Sequence, residues 1–103
     1  MQSLFKTRIT MHIRVKLFAT LRLNLKVGQV DIQSNVPISV LTLLQQVSEK
    51  VGSNIIPELI DNGKIMIGTI ILVDGFNVLH LDGLNTMIDK DSVVSVFPPN
   101  GGG

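Results

Sequence analysis

The stretch Ser39-Val40-Leu41-Thr42-Leu43-Leu44-Gln45-Gln46-Val47-Ser48-Glu49-Lys50-Val51-Gly52 decides the fold class. Val40, Leu44, Val47 and Val51 recur at spacings of four, three and four, and Leu41 and Leu43 widen the stripe. That is the period of a helix with one apolar face. Gln45, Gln46, Ser48, Glu49 and Lys50 lie mostly on the other side. The Ser39 hydroxyl can accept from an orphan N–H of the first turn, which is the N-cap role. Lys50 complements the dipole of the last turn, and Gly52 suits a left-handed stop. The spacing predicts a helix of about three turns that lays one face on a sheet.

The flanking segments supply that sheet. In 12–18, Ile13, Val15 and Leu17 point one way and His12, Arg14, Lys16 and Phe18 the other, the period of a half-buried strand. Val30 and Ile32 alternate with Gln29, Asp31 and Gln33, which predicts a second strand. The less regular 19–28 reads as the connection of an N-terminal hairpin. Ser34-Asn35-Val36-Pro37 is a break before the helix. After the helix, 54–60 reads as one short helical turn with Pro57 near its start, and Asp61-Asn62-Gly63 as a turn. The apolar run 69–73 reads as a central strand, covered on both faces or lying at an interface. Asp74-Gly75 and Asp82-Gly83 read as turns around a short strand at 78–81. A last strand is predicted at 92–97, with Val94 and Val96 on one face and Val93, Ser95 and Phe97 on the other.

One helix on one face of a mixed sheet is a two-layer α+β arrangement. The helix forms a crossover, which predicts parallel strands before and after it. The first and last strands are expected to pair in parallel at the sheet centre. The face opposite the helix is then uncovered. Residues 1–10 carry a weak pattern. They read as an extension, as sequence ahead of a natural start at Met11, or as a short edge strand. The expected organisation is an extension at 1–10, one domain at 11–97 and a flexible tail at 98–103.

At 103 residues with 45% apolar content, folding should bury roughly 65% of the chain's surface, enough for a core without staples. No cysteine is present, which excludes disulfides, thiolate metal sites and a cysteine nucleophile. Nine Lys and Arg against eight Asp and Glu give a net charge of +1, which is no nucleic-acid signature. Trp and Tyr are absent and Phe numbers four, so a base-stacking platform is not expected. No apolar run approaches the roughly 18 residues of a membrane span. Lys6 and Arg8 are not followed by an apolar signal region, and the chain reads as a cytoplasmic protein without a membrane partner.

A search for catalytic constellations finds none. His12 and His80 are isolated, and no metal-ligand spacing, nucleophile elbow, phosphate loop or dinucleotide fingerprint occurs. Asp89 and Asp91 beside Lys90 read as a solvated loop. What stands out is the ending Phe97-Pro98-Pro99-Asn100-Gly101-Gly102-Gly103. Glycine passes where a side chain clashes, and the two prolines stiffen the base and stop the strand ladder. The five residues beyond Pro98 reach roughly 17 Å when extended, far enough to enter another protein's active site. The alternative is an ordinary frayed end. The α-carboxylate of Gly103 resists nucleophiles because its leaving group is oxide. Adenylation makes it a mixed anhydride from which a sulfur donor or thiol displaces AMP.

These residues resemble the ubiquitin-like β-grasp sulfur carriers, and among them the small subunit of molybdopterin synthase. The resemblance rests on Phe18-Ala19-Thr20-Leu21-Arg22, Ser39-Val40-Leu41-Thr42-Leu43-Leu44, Val73-Asp74-Gly75, Gly83-Leu84-Asn85-Thr86-Met87-Ile88 and the terminal Phe97 to Gly103, in order across roughly residues 11–103. Leu23 stands where an acidic residue often follows the arginine, Gly101 replaces a common alanine, and acidic content is low for such a chain. The resemblance implies a β-grasp domain without catalytic residues or bound cofactor of its own. An E1-like enzyme would use ATP to adenylate Gly103, which would become a thiocarboxylate, with Gly101 and Gly102 as its tail. The thiocarboxylate would insert into the large molybdopterin synthase subunit and give sulfur to a pterin precursor. Phe97, Val93, Pro98 and Pro99 are the expected partner contacts, although Phe97 can equally pack at the sheet's end. The alternatives are a ubiquitin-like modifier joined through Gly103 to lysines, a carrier of sulfur for tRNA or thiamine, and an interaction domain that keeps only the fold.

Overall fold

The computed structural model describes residues 10–99. Its elements, in chain order, are β1 (Met11–Leu17), α1 (Ala19–Leu25), β2 (Gln29–Ser34), β3 (Ile38–Ser39), α2 (Val40–Val51), β4 (Ile60–Asp61), β5 (Lys64–Ile65), β6 (Ile70–Val73), β7 (Phe76–Asn77), β8 (Met87–Ile88) and β9 (Ser92–Phe97). Short 3-10 turns cover Ile56–Glu58, Val78–His80 and Gly83–Asn85.

The helix α2 forms where its caps place it. Ser39 Oγ accepts the Thr42 N–H at 3.1 Å. Gly52 stops the helix at φ +75°, and its N–H donates to the Ser48 and Glu49 carbonyls. Val40, Leu43, Leu44 and Val47 are buried, so the apolar stripe is the face laid on the sheet.

Five strands form the main sheet in the order β2-β1-β9-β6-β7. β1 runs antiparallel to β2 and parallel to β9, and β6 runs antiparallel to both β9 and β7. The first and last long strands are thus parallel neighbours at the centre, as the sequence predicts. β2 and β6, on either side of α2 in sequence, point the same way, but β1 and β9 lie between them. The architecture is the two-layer α+β β-grasp arrangement. The inner face is dry: Ile13, Val15, Leu17, Val94 and Val96 are at most 1% exposed. Burial of each such side chain contributes roughly 1.5–3 kcal/mol.

Three segments differ from the sequence expectation. The connection at 19–28 contains the helix α1. Leu21 and Leu25, four residues apart, put one turn's worth of leucine on the core, with Leu21 fully buried. This helix has no side-chain N-cap, and Lys26 rather than glycine takes the left-handed cap at φ +58°. The usual start and stop signals are therefore missing from its sequence. The segment 78–81 is a 3-10 turn instead of a strand, because Asn77 Oδ1 accepts the Leu79 N–H at 2.9 Å and winds the backbone. The strand lies earlier, as β7. Asp74 and Gly75, both at positive φ (50° and 89°), make the tight two-residue turn before it. Finally, β6 is covered on one face only: Ile71 is 1% exposed and Ile70 42%.

β1 starts at Met11, and just before it Thr10 Oγ1 donates to Asn35 Oδ1 at 2.8 Å. Residues 1–9, which carry most of the predicted extension, lie outside the described residues.

Candidate functional site

The face of the sheet opposite α2 carries every second residue of the strands. The pairings order these residues in rows. Ile70 faces Phe97, and Phe18 follows β1 beside them through its N–H bond to the Val96 carbonyl (3.2 Å). The next row is Lys16, Ser95, Leu72 and Asn77, and the one after it holds Arg14 and Val93. Phe18 and Phe97 stack, with centroids 4.3 Å apart and planes 9° from parallel. Such a pair contributes roughly 0.5–1.5 kcal/mol beyond its area. Here the stack sits where β9 ends and the tail begins.

Beyond Phe97 the chain stays anchored for two residues. Pro98 is buried and Pro99 half-buried. Pro99 rests against a turn closed by the Thr69 N–H bond to the Met66 carbonyl at 3.0 Å. In that turn Gly68 has φ +93°, and a Cβ built there lies 3.6 Å from Pro99 Cα. Ile67, at the tip of the same turn, is 99% exposed beside the base of the tail.

Of the expected contacts, the structure brings Phe97 and Pro99 together at one end of the open face and encloses Pro98. Val93 is on the same face and 39% exposed, but four residues back along β9, or about 13 Å. Gly101, Gly102 and Gly103 lie outside the described residues. Sequence reasoning did not select Phe18, Ile67, Ile70 or Leu72. The outward alternation of Phe18 with Lys16 and Arg14 was a signal for the first. Ile67 carried none, since one apolar residue between Met66 and Gly68 reads as a loop.

Charge on the open face is uneven. Acidic groups cluster at the end away from the tail. Asp91 Oδ1 accepts the His12 N–H and Asp74 Oδ1 the Val93 N–H, each at 2.9 Å. Asp31 Oδ1 is 3.6 Å from Arg14 Nε, the single ion pair among the described residues. At the tail end, Lys16, Phe18, Arg22, Gly28 and Gln29 line a shallow depression. Among the described residues no group of three or more His, Cys, Asp or Glu is arranged to hold a metal ion, and no helix is long and apolar enough to cross a membrane.

No protein-family model matches the chain. Small archaeal modifier protein 3 of Haloferax volcanii is 44% identical over 45 residues, which is 44% of this chain and 49% of that protein. The chain thus matches about half the length of that curated relative. Among solved structures, the HVO 2177 protein of Haloferax volcanii is 30% identical with a TM-score of 0.74, covering 91% of this chain and 88% of that one. Small archaeal modifier protein 1 of Methanosarcina acetivorans shares the fold at 24% identity, with a TM-score of 0.71 and coverage of 92% and 99%.

Proposed function

This chain belongs to the ubiquitin-like sulfur-carrier family, and on that premise we propose that it carries sulfur on the α-carboxylate of Gly103 for the making of molybdopterin. An E1-like enzyme binds the tail and ATP. A carboxylate oxygen of Gly103 attacks the α-phosphorus and pyrophosphate leaves. A sulfide-level sulfur nucleophile then attacks the acyl carbon, AMP leaves with the bonding pair, and a thiocarboxylate results. The charged tail enters the large molybdopterin synthase subunit, where the sulfur passes to a pterin precursor. In this reading the chain performs no catalysis and holds no cofactor; the ATP is bound by its partner.

The observation that carries the proposal is the exit of the tail from the rigid centre of the sheet. β9 is paired on both sides, by β1 and β6. The Phe18–Phe97 stack and the seat of Pro99 on Gly68 then anchor the chain as far as Pro99. A carrier needs this division: a stiff body to be recognised and a narrow reactive end. Phe97, Pro99, Ile67 and Ile70 supply an apolar rim at that exit, with Val93 farther along the face. Such a surface suits docking of the enzyme that takes the tail.

A second reading is favoured by the relative named as a modifier: conjugation of Gly103 to lysines of other proteins. Both readings share the adenylation step and part after it. The protein is incubated with the adenylating enzyme of its own cell, ATP and a sulfur donor, and its intact mass is taken. Exchange of one oxygen for sulfur at the C-terminus is the expected result. Isopeptide-linked products in cells without that exchange would support the modifier, and absence of any adenylate would sink both. Deletion of Gly103 is expected to abolish activation and leave the melting curve unchanged.

A further inference from the structure

The depression beside the tail holds two cations with no acidic partner among the described residues. Lys16 is on the outward side of β1, opposite Gln29 of β2. Arg22 comes from α1, and both are exposed. A Cβ built on Gly28 lies 3.1 Å from Arg22 Nε and 3.3 Å from its Cζ, so the guanidinium lies against the Gly28 backbone and a Cβ there would push it by a few tenths of an ångström. Gly28 is absent from the residues with positive φ. Its backbone therefore does not demand glycine, and the nearest atoms a Cβ there would meet are those of the Arg22 side chain. Leu17 N–H donates to the Gly28 carbonyl at 3.0 Å, which fixes that backbone against the end of β1.

We infer that Lys16 and Arg22, the latter lying over Gly28, form a docking pocket for carboxylate side chains on the surface of the adenylating enzyme. The inference rests on the carrier reading and names the chemistry of the partner's surface. Three observations choose this occupant. Phe18 lines the same pocket and stacks on Phe97, the residue before the prolines. A protein that takes the tail at this exit therefore covers the pocket. The guanidinium fork matches a carboxylate in two parallel bonds. The acids of this face are elsewhere: Asp31 faces Arg14, and Asp74 and Asp91 accept backbone N–H groups at the far end. A nucleic acid fits less well, because a net charge of +1 offers no extended phosphate track.

The test measures pyrophosphate release with the cognate adenylating enzyme for wild type, Lys16→Glu/Arg22→Glu, Gly28→Ala and Lys64→Glu. Each variant's fold is checked by circular dichroism. The double variant is expected to raise KM about ten- to a hundredfold with kcat retained. Gly28→Ala, which keeps the charge and shifts the guanidinium by only a few tenths of an ångström, should raise it at most about threefold. Lys64→Glu, on β5 outside this face, should leave it unchanged. Added salt should raise the wild-type KM and barely move that of the double variant. An active wild type with an unchanged KM in the double variant overturns the inference and leaves the carrier reading standing. So does an equal rise in Lys64→Glu. Loss of self-association or of RNA binding in the double variant, with KM unchanged, assigns the pocket to a second copy or to nucleic acid and also overturns it. A wild type that is not adenylated removes the carrier reading and this inference together.

Discussion

The two faces of the central sheet are built from the same strands and differ in what their apolar residues meet. On the inner face Val15, Leu17, Val94 and Val96 are fully buried under α2 and α1. On the open face Phe18 and Phe97 mainly cover each other, while Ile70 and Val93 remain 42% and 39% exposed. Strand alternation enforces this split, because neighbouring side chains of one strand cannot share a face. The covered side therefore sets stability. The open side adds less to folding and leaves apolar surface exposed.

Substitutions that attack one face and spare the other test this division. The largest effect is expected from Leu17→Ala on the inner face: a loss of about 2–5 kcal/mol, read as a lower urea midpoint. The adenylation KM of the folded protein should not change. If that KM rose as steeply as stability fell, the two faces would not be separable. Phe97→Ala, one residue along β9 from the buried Val96, should do the reverse. A stability loss of about 1–2 kcal/mol is expected, from the lost stack and partial burial. The same change should raise KM about tenfold, as loss of an aromatic anchor does. An unchanged KM would reduce Phe97 to packing at the sheet's end. The smallest effect is expected from Gly68→Ala. At φ +93° an alanine is strained by roughly 1–2 kcal/mol, and thermal melting should show that loss. A shift in KM beyond what the melt explains would mean that the turn also aims the tail.

Legibility in the sequence followed the strength of local signals. α2 could be read to the residue because Ser39 and Gly52 cap it and its apolar period spans three turns. β1 and β9 were legible from alternation, which persists because one face is buried and the other is not. α1 was not legible, since seven residues hold only Leu21 and Leu25 on the core and neither end has a capping residue. The turn at Val78–His80 was misread as a strand because an asparagine hydrogen bond, invisible to hydropathy, wound it. At the site, Phe97 and the prolines were legible as a motif. Phe18, Ile67 and Ile70 were not selected, because their association comes from strand pairing and a glycine turn distant in sequence.

The sequence by itself determined the fold class and the pairing of a central last strand with the first. It also contains no cysteine and ends on three glycines. Those properties are local, carried by period, caps and residue type. Only the tertiary structure decided what surrounds Phe97 and Pro99. It stacked Phe18 on Phe97, seated Pro99 on the Gly68 turn, placed Arg22 over Gly28 and moved the acids to the far end of the open face. These contacts join residues far apart in the chain, so they follow from sheet order and register, which no single stretch of sequence contains.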